Sequence, residues 1–190
     1  AALPSLGGWP EASPPVRACI ADLERAYAEN GAAFRAEALA LLEARGYEAH
    51  EGLQDPAKPK WSYADVDDST LEVSRPTIDR AVAAVRRTCG LQAAGISRLE
   101  PGSAIRPHTG PTNRRWTLHL GLVVDAADVD RLTLTVAGTA RAGAWVQGKV
   151  VLFDDSYEHD VVHAGARDRV VLDLSVDHPS FFLRGGRGEL

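Results

Sequence analysis

The chain has 190 residues, 45% of them hydrophobic and 25% charged, the balance of an ordinary globular protein with room for one packed core. Its 21 basic and 26 acidic residues leave a net charge of −5, which argues against nucleic acid as the main partner because phosphate binders carry a basic surplus. No apolar run approaches the roughly 20 residues needed to cross a membrane, and Ala1-Ala2-Leu3-Pro4 lacks the basic and apolar regions of a signal peptide, so a cytoplasmic location is expected.

Residues 15–46 are rich in Ala, Leu, Glu and Arg, and Ile20, Leu23, Tyr27, Phe34, Leu39 and Leu42 recur at near-helical spacing, with Gly31 and Gly46 read as stops. Residues 50–75, with Pro56, Pro59 and several aspartates, are expected to form a loop. A second helix is expected after Pro76, running to about Thr88 with Gly90 behind it. Cys19 and Cys89 are read as packing residues of a reducing compartment, since neither has a second Cys or a His at metal-clip spacing. From Ile96 onward the texture is β. Residues 115–124 (RWTLHLGLVV), 131–136 (RLTLTV), 149–153 (KVVLF) and 169–176 (RVVLDLSV) alternate or are β-branched, and Gly, Asp or Pro breaks them at short intervals. The pattern is a helical N-terminal layer on a C-terminal sandwich or barrel, without internal repeats or low-complexity tracts.

Five of the six histidines, His108, His119, His159, His163 and His178, lie in the β half. His108 stands between Arg106-Pro107 and Thr109-Gly110-Pro111-Thr112-Asn113, and His159 ends Phe153-Asp154-Asp155-Ser156-Tyr157-Glu158-His159. Two such imidazoles can face each other across a β-sandwich and suit Fe, Zn, Cu or Ni; each alone is more often a satisfied surface or core residue. The usual non-haem iron triad adds a carboxylate two residues after the first His, where this chain has Gly110. Arg169, opening the last strand, can grip a carboxylate from inside a cavity, or lie on the surface paired with Asp168 or Glu158.

Ser97-Arg98-Leu99-Glu100-Pro101-Gly102, then His108 to Asn113, His119-Leu120-Gly121-Leu122, the Phe153–His159 stretch, Arg169 and Asp177-His178-Pro179 resemble, in order and spacing, the catalytic domain of the aspartyl/asparaginyl β-hydroxylase family over about residues 93–180. The resemblance implies a mainly β protein with N-terminal helices, built on a double-stranded β-helix of the jelly-roll or cupin kind. One domain over 1–190 is expected, with 1–90 a mostly helical and loop layer and 91–183 the catalytic core.

The resemblance further implies iron(II) held by His108 and His159, with His159 preferred to His163, which shares its strand face. It implies 2-oxoglutarate contacted by Ser97, His119 and Arg169, dioxygen as the oxidant, and Gly110 as a vacant third-ligand position. Asp154 and Asp155 are read as turn formers. The family carries two arginines in the strand before HLGL; this chain keeps Arg115 but has Thr117 at the second, a substrate-contacting position. That departure points away from an acidic side chain in a folded domain and toward a small amino acid or peptide substrate. The expected reaction is hydroxylation of an unactivated C–H bond with decarboxylation of 2-oxoglutarate to succinate. The alternatives are a halogenase using the vacancy at Gly110 and a non-catalytic cupin-like binding module.

Overall fold

A computed structural model of the chain describes residues 8–46, 53 and 61–182. Pro56, Pro59, the N-terminal Ala1–Pro4 and the last residue of the expected 91–183 core lie outside the described residues.

The first helix, α1, spans Pro14–Arg45. Pro14 presets the first turn, and Gly46 at φ 68° ends it with its N–H donating to the Leu42 carbonyl. Gly31 does not stop it. The helix passes through with a local kink at Asn30, and Gly31 packs where an added Cβ would lie 3.1 Å from the Tyr27 ring. The expected stop is a one-residue break at Asn30 after which the helix resumes, and close packing against Tyr27 is a second reason for a glycine at 31. The second helix, α2, spans Pro76–Cys89. The Glu37 carboxylate of α1 accepts from the Thr77 and Ile78 backbone N–H groups at 3.0 and 2.8 Å, capping α2 from its neighbour.

Cys19 and Cys89 are not separate packing residues: they form a disulfide joining α1 to α2 across 70 residues of sequence. Sequence spacing gave no sign of this, because helix packing alone brings the two sulfurs together. The bridge also removes the argument for a reducing compartment. Closing so long a loop constrains the unfolded chain, so the double variant Cys19→Ser/Cys89→Ser is expected to lose about 2–4 kcal/mol of stability. Chemical denaturation of both proteins under non-reducing conditions measures the difference; equal midpoints would mean that the bridge adds nothing.

The described residues include nine strands, in chain order β1 Trp61–Asp65, β2 Leu91–Leu99, β3 Ala104–His108, β4 Arg115–Val123, β5 Leu132–Val136, β6 Thr139–Ala142, β7 Val150–Phe153, β8 His159–His163 and β9 Arg169–Asp177. β1 lies within the segment expected to be loop, where Trp61-Ser62-Tyr63 pairs with β2. Short β3, β6 and β8 carry too few alternating residues to stand out in sequence. The strands form two antiparallel sheets, β1-β2-β9-β4-β7 and β3-β8-β5-β6. Facing each other, they make the expected double-stranded β-helix.

Strand periodicity divides the larger sheet into two faces. The even-numbered residues Ile96, Leu118, Leu120, Leu172 and Leu174 are buried against α1 and α2. Tyr27 of α1 fixes this layer by donating to the Leu122 carbonyl at 2.6 Å. The odd-numbered residues face the smaller sheet. Leu99, Phe153 and Val171 join Leu134, Val136 and Val161 in a second core, while Ser97, Arg115, Thr117, His119, Arg169, Asp173 and Ser175 line a cavity beside it.

Candidate active site

The cavity between the sheets has a volume of about 380 Å³. At one side His108, ending β3, and His159, opening β8, are register partners, with ring centroids 4.1 Å apart. Each imidazole is anchored in the same way. His108 Nδ1 lies 2.8 Å from the Arg106 carbonyl, and His159 Nδ1 lies 3.0 Å from the Tyr157 carbonyl. A carbonyl only accepts, so both Nδ1 atoms carry the hydrogen, and in a neutral imidazole that tautomer leaves the lone pair on Nε2. Burial lowers the His159 pKa from its usual value, opposed by the bond to Tyr157. Two neutral imidazoles with matched tautomers are a ready pair of divalent-metal ligands. Among the described residues no group of three or more His, Cys, Asp or Glu side chains converges on a metal-sized site.

His163 is arranged differently. It is 1% exposed, its Nε2 lies 2.7 Å from the Arg167 carbonyl, and its Nδ1 accepts from the Gly165 N–H at 3.1 Å. Both ring nitrogens are engaged in the turn after β8.

Gly110 lies beside this pair, but the space next to its Cα is not vacant. An added Cβ would lie 2.3 Å from Asp155 Oδ2, and the Gly110 N–H donates to the Asp155 carbonyl at 2.6 Å. Arg115 grips the same Oδ2 from Nη2 and Nε at 2.8 and 3.2 Å, while Oδ1 is buried without a partner. Asp154 is a turn former, with its Oδ1 accepting from the Ser156 N–H and hydroxyl. Asp155 follows in the same turn between β7 and β8, and it also brings a carboxylate into the cavity. Strand parity gave no sign of it, because residues 154–158 form a turn between β7 and β8. Gly110→Asp is therefore expected to set two buried carboxylates against each other and lower stability by about 1–3 kcal/mol, with Asp155→Ala restoring much of the loss in the double variant. Thermal unfolding of the three proteins measures the coupling. Additive losses would mean that residue 110 does not meet Asp155.

Arg169 lies at the opposite side of the cavity and is 1% exposed, so it is not a surface arginine. Asp168, its supposed partner, pairs instead with Arg98 at 2.6 Å. The Arg169 guanidinium donates to Ser97 Oγ at 3.1 Å and lies 4.8 Å over the Trp145 ring, but its Nε has no partner. Burial lowers its pKa to about 10, an effect opposed by Asp173. Ser97 Oγ also accepts from Trp61 Nε1 at 3.1 Å, so its own hydrogen remains available to donate. A buried cation held by one hydroxyl and one aromatic face is incomplete, and a ligand carboxylate is the group that completes it. His119 is tied by Trp145, whose Nε1 donates to His119 Nδ1 at 3.2 Å, and its Nε2 faces Asp173 Oδ1 at 3.5 Å. Thr117 lines the same wall between its register partners Phe153 and Ser175. The cavity thus gathers Ser97, His108, Gly110, Arg115, Thr117, His119, His159 and Arg169, and adds Trp61, Tyr63, Asp155 and Asp173, which sequence reasoning did not select; Trp145 backs it.

Residues 28–179 match the family model described as aspartyl/asparaginyl beta-hydroxylase. The chain belongs to this family. The mouse aspartyl/asparaginyl beta-hydroxylase is 40% identical over 83 residues, which cover 44% of this chain and 10% of that protein. The ornithine lipid ester-linked acyl 2-hydroxylase of Rhizobium tropici is 40% identical over 97 residues, or 51% of this chain and 34% of that protein. The match therefore spans a tenth to a third of the length of these two hydroxylases. The fold is shared more widely. A Pseudomonas putida prolyl-4-hydroxylase superposes with a TM-score of 0.50 at 18% identity, over 84% of this chain and 99% of that one. HygX from Streptomyces hygroscopicus, crystallised with nickel, 2-oxoglutarate and hygromycin B, gives 0.52 at 12% identity, over 80% of this chain and 79% of that one. At such identities the likeness concerns the double-stranded β-helix alone.

Proposed function

We propose that this aspartyl/asparaginyl β-hydroxylase family member is an iron(II)- and 2-oxoglutarate-dependent hydroxylase of a small amino acid or peptide substrate. The observation that carries the reading is the pairing, in one cavity, of two matched Nε2 lone pairs on His108 and His159 with a buried, under-partnered guanidinium at Arg169. The donor set fits the metal, since neutral imidazole suits iron(II). The orphaned Arg169 Nε and the available Ser97 hydroxyl fit a dicarboxylate cosubstrate. When bound, iron(II), 2-oxoglutarate and dioxygen together supply the oxidising chemistry for an unactivated C–H bond, with succinate and carbon dioxide as coproducts.

The chain's own residues hold and orient these components. His108 and His159 would hold the metal, each ring held by its own upstream carbonyl. Arg169 and Ser97 anchor the distal carboxylate of 2-oxoglutarate, and Trp61 and Trp145 keep that end of the cavity dry. His119, with its hydrogen on Nε2, lines the wall between them. Asp155, aligned by Arg115, would offer its unpartnered Oδ1 to a hydrogen-bond donor in the cavity. A halide beside Gly110 would meet that carboxylate, so hydroxylation is preferred to halogenation.

The test is succinate release by the protein supplied with iron(II), ascorbate and 2-oxoglutarate, screened against free amino acids and short peptides, with mass spectrometry of the product. Substrate-stimulated succinate and a +16 product are expected. A halogenated product in high chloride would replace the hydroxylase reading, and no succinate from any substrate would leave a binding module.

A further inference from the structure

We infer that Asp173 selects the substrate, and that it does so by receiving a protonated primary amine. The inference rests on the oxygenase reading of the cavity and names the chemistry its substrate presents. Asp173 sits midway along β9 on the cavity face, between Arg169 and Ser175. Its cross-strand neighbours are Gly95 on β2 and His119 on β4.

The other charged groups of the cavity each have a task. The Arg115 guanidinium is matched by Asp155 at 2.8 Å. Arg169 is directed to Ser97 and to the carboxylate that completes it. The Asp173 side chain is 24% exposed, and no Lys or Arg nitrogen among the described residues comes within 4 Å of its carboxylate. Its neighbour His119 is already anchored by Trp145, and the 3.5 Å from Nε2 to Asp173 Oδ1 is the outer limit of a hydrogen bond. Orienting His119 therefore does not account for this carboxylate.

The surroundings suit a small cation. Around Asp173 the wall carries small side chains: Ala93, Thr117 and Ser175. Gly95 has no Cβ, and one placed there would lie 2.1 Å from the Tyr63 ring, so the ring lies directly on the strand next to Asp173. A carboxylate beside an aromatic ring, in a pocket emptied by small residues, is a setting for an ammonium group. Arg169, two positions along the same face of β9, feels the Asp173 charge without touching it and is directed to the cosubstrate carboxylate, so an anionic substrate group at Asp173 would meet no guanidinium of its own. Thr117 is diagonal to Asp173 across the β4–β9 pair, so a cation at 117 would cancel the carboxylate.

The experiment measures equilibrium binding by calorimetry to the wild type, Asp173→Asn and Thr117→Arg. The probes are L-lysine, Nα-acetyl-L-lysine amide and the uncharged Nα-acetyl-L-norleucine amide. Each titration is run on protein holding manganese(II) and 2-oxoglutarate and again on protein holding neither. The wild type is expected to bind at least one of the two amines and to bind the norleucine probe about tenfold or more weakly; which amine binds distinguishes a free amino acid from a residue within a chain. Both variants are expected to lose that margin, Thr117→Arg serving if Asp173→Asn does not fold. Amine binding without metal, alongside absent succinate release, would sustain the inference while the hydroxylase reading failed. The inference is overturned if no amine probe binds, if the norleucine probe binds as well, or if the variants retain the wild-type margin. A loss for charged and uncharged probes alike would reduce Asp173 to a support for His119 and overturn it too.

Discussion

His159→Ala and His108→Ala are each expected to remove most iron-dependent succinate release, while His163→Ala keeps it at reduced stability. The three imidazoles differ in what their nitrogens do. In His108 and His159 a carbonyl two residues upstream holds Nδ1–H, and Nε2 is left as a ligand. In His163 both nitrogens are engaged within the Gly165–Arg167 turn. A site resting on two protein ligands has no third imidazole to compensate, so losing one should weaken metal binding by more than the roughly 10- to 100-fold typical of an outer-shell change. Removing His163 instead unsatisfies the Arg167 carbonyl and the Gly165 N–H, a stability loss of about 1–3 kcal/mol. Metal content after dialysis, iron(II) titration and thermal unfolding separate the two outcomes. A His163→Ala protein that folds but binds no metal, beside a His159→Ala protein that does, would reverse the assignment.

Arg169→Ala is expected to raise the KM for 2-oxoglutarate roughly thirtyfold or more, since truncating one partner of a buried charge pair costs about 2–5 kcal/mol. A second measurement separates this role from a structural one. The guanidinium is buried with an unpartnered Nε, and replacing an incompletely compensated buried charge by an apolar side chain of similar length is often neutral or stabilising. Arg169→Met should therefore unfold no more easily than the wild type without 2-oxoglutarate, and should lose the stabilisation that 2-oxoglutarate confers on the wild type. Equal KM values, or a protein equally stabilised by 2-oxoglutarate after the change, would mean that Arg169 does not hold the cosubstrate.

Both predictions turn on residues conspicuous in the sequence, yet their surroundings were not. The HTGPTN and FDDSYEH segments are long, rare strings, and such strings carry a family identity that survives without any knowledge of packing. The alternation of RWTLHLGLV and RVVLDLSVD likewise determined that one side of each strand faces the helices and the other an interior, because side chains alternate with period two. What lay beyond reach is what depends on partners distant in sequence. The Cys19–Cys89 bridge exists because α1 packs on α2, a fact no spacing encodes. Trp61 and Tyr63 seemed part of a loop, since a five-residue edge strand has too little pattern to stand out from its prolines and aspartates. The apparent vacancy at Gly110 was a statement about one segment; the turn between β7 and β8 carries Asp155 into that space, bonded through its carbonyl to the Gly110 N–H and held by Arg115 from β4. Asp173 was legible only as a polar residue in an apolar strand. Its place between Gly95 and His119, with Tyr63 packed over Gly95, comes from the register of β2, β9 and β4, because lateral neighbours in a sheet are chosen by pairing across strands and not by order along the chain.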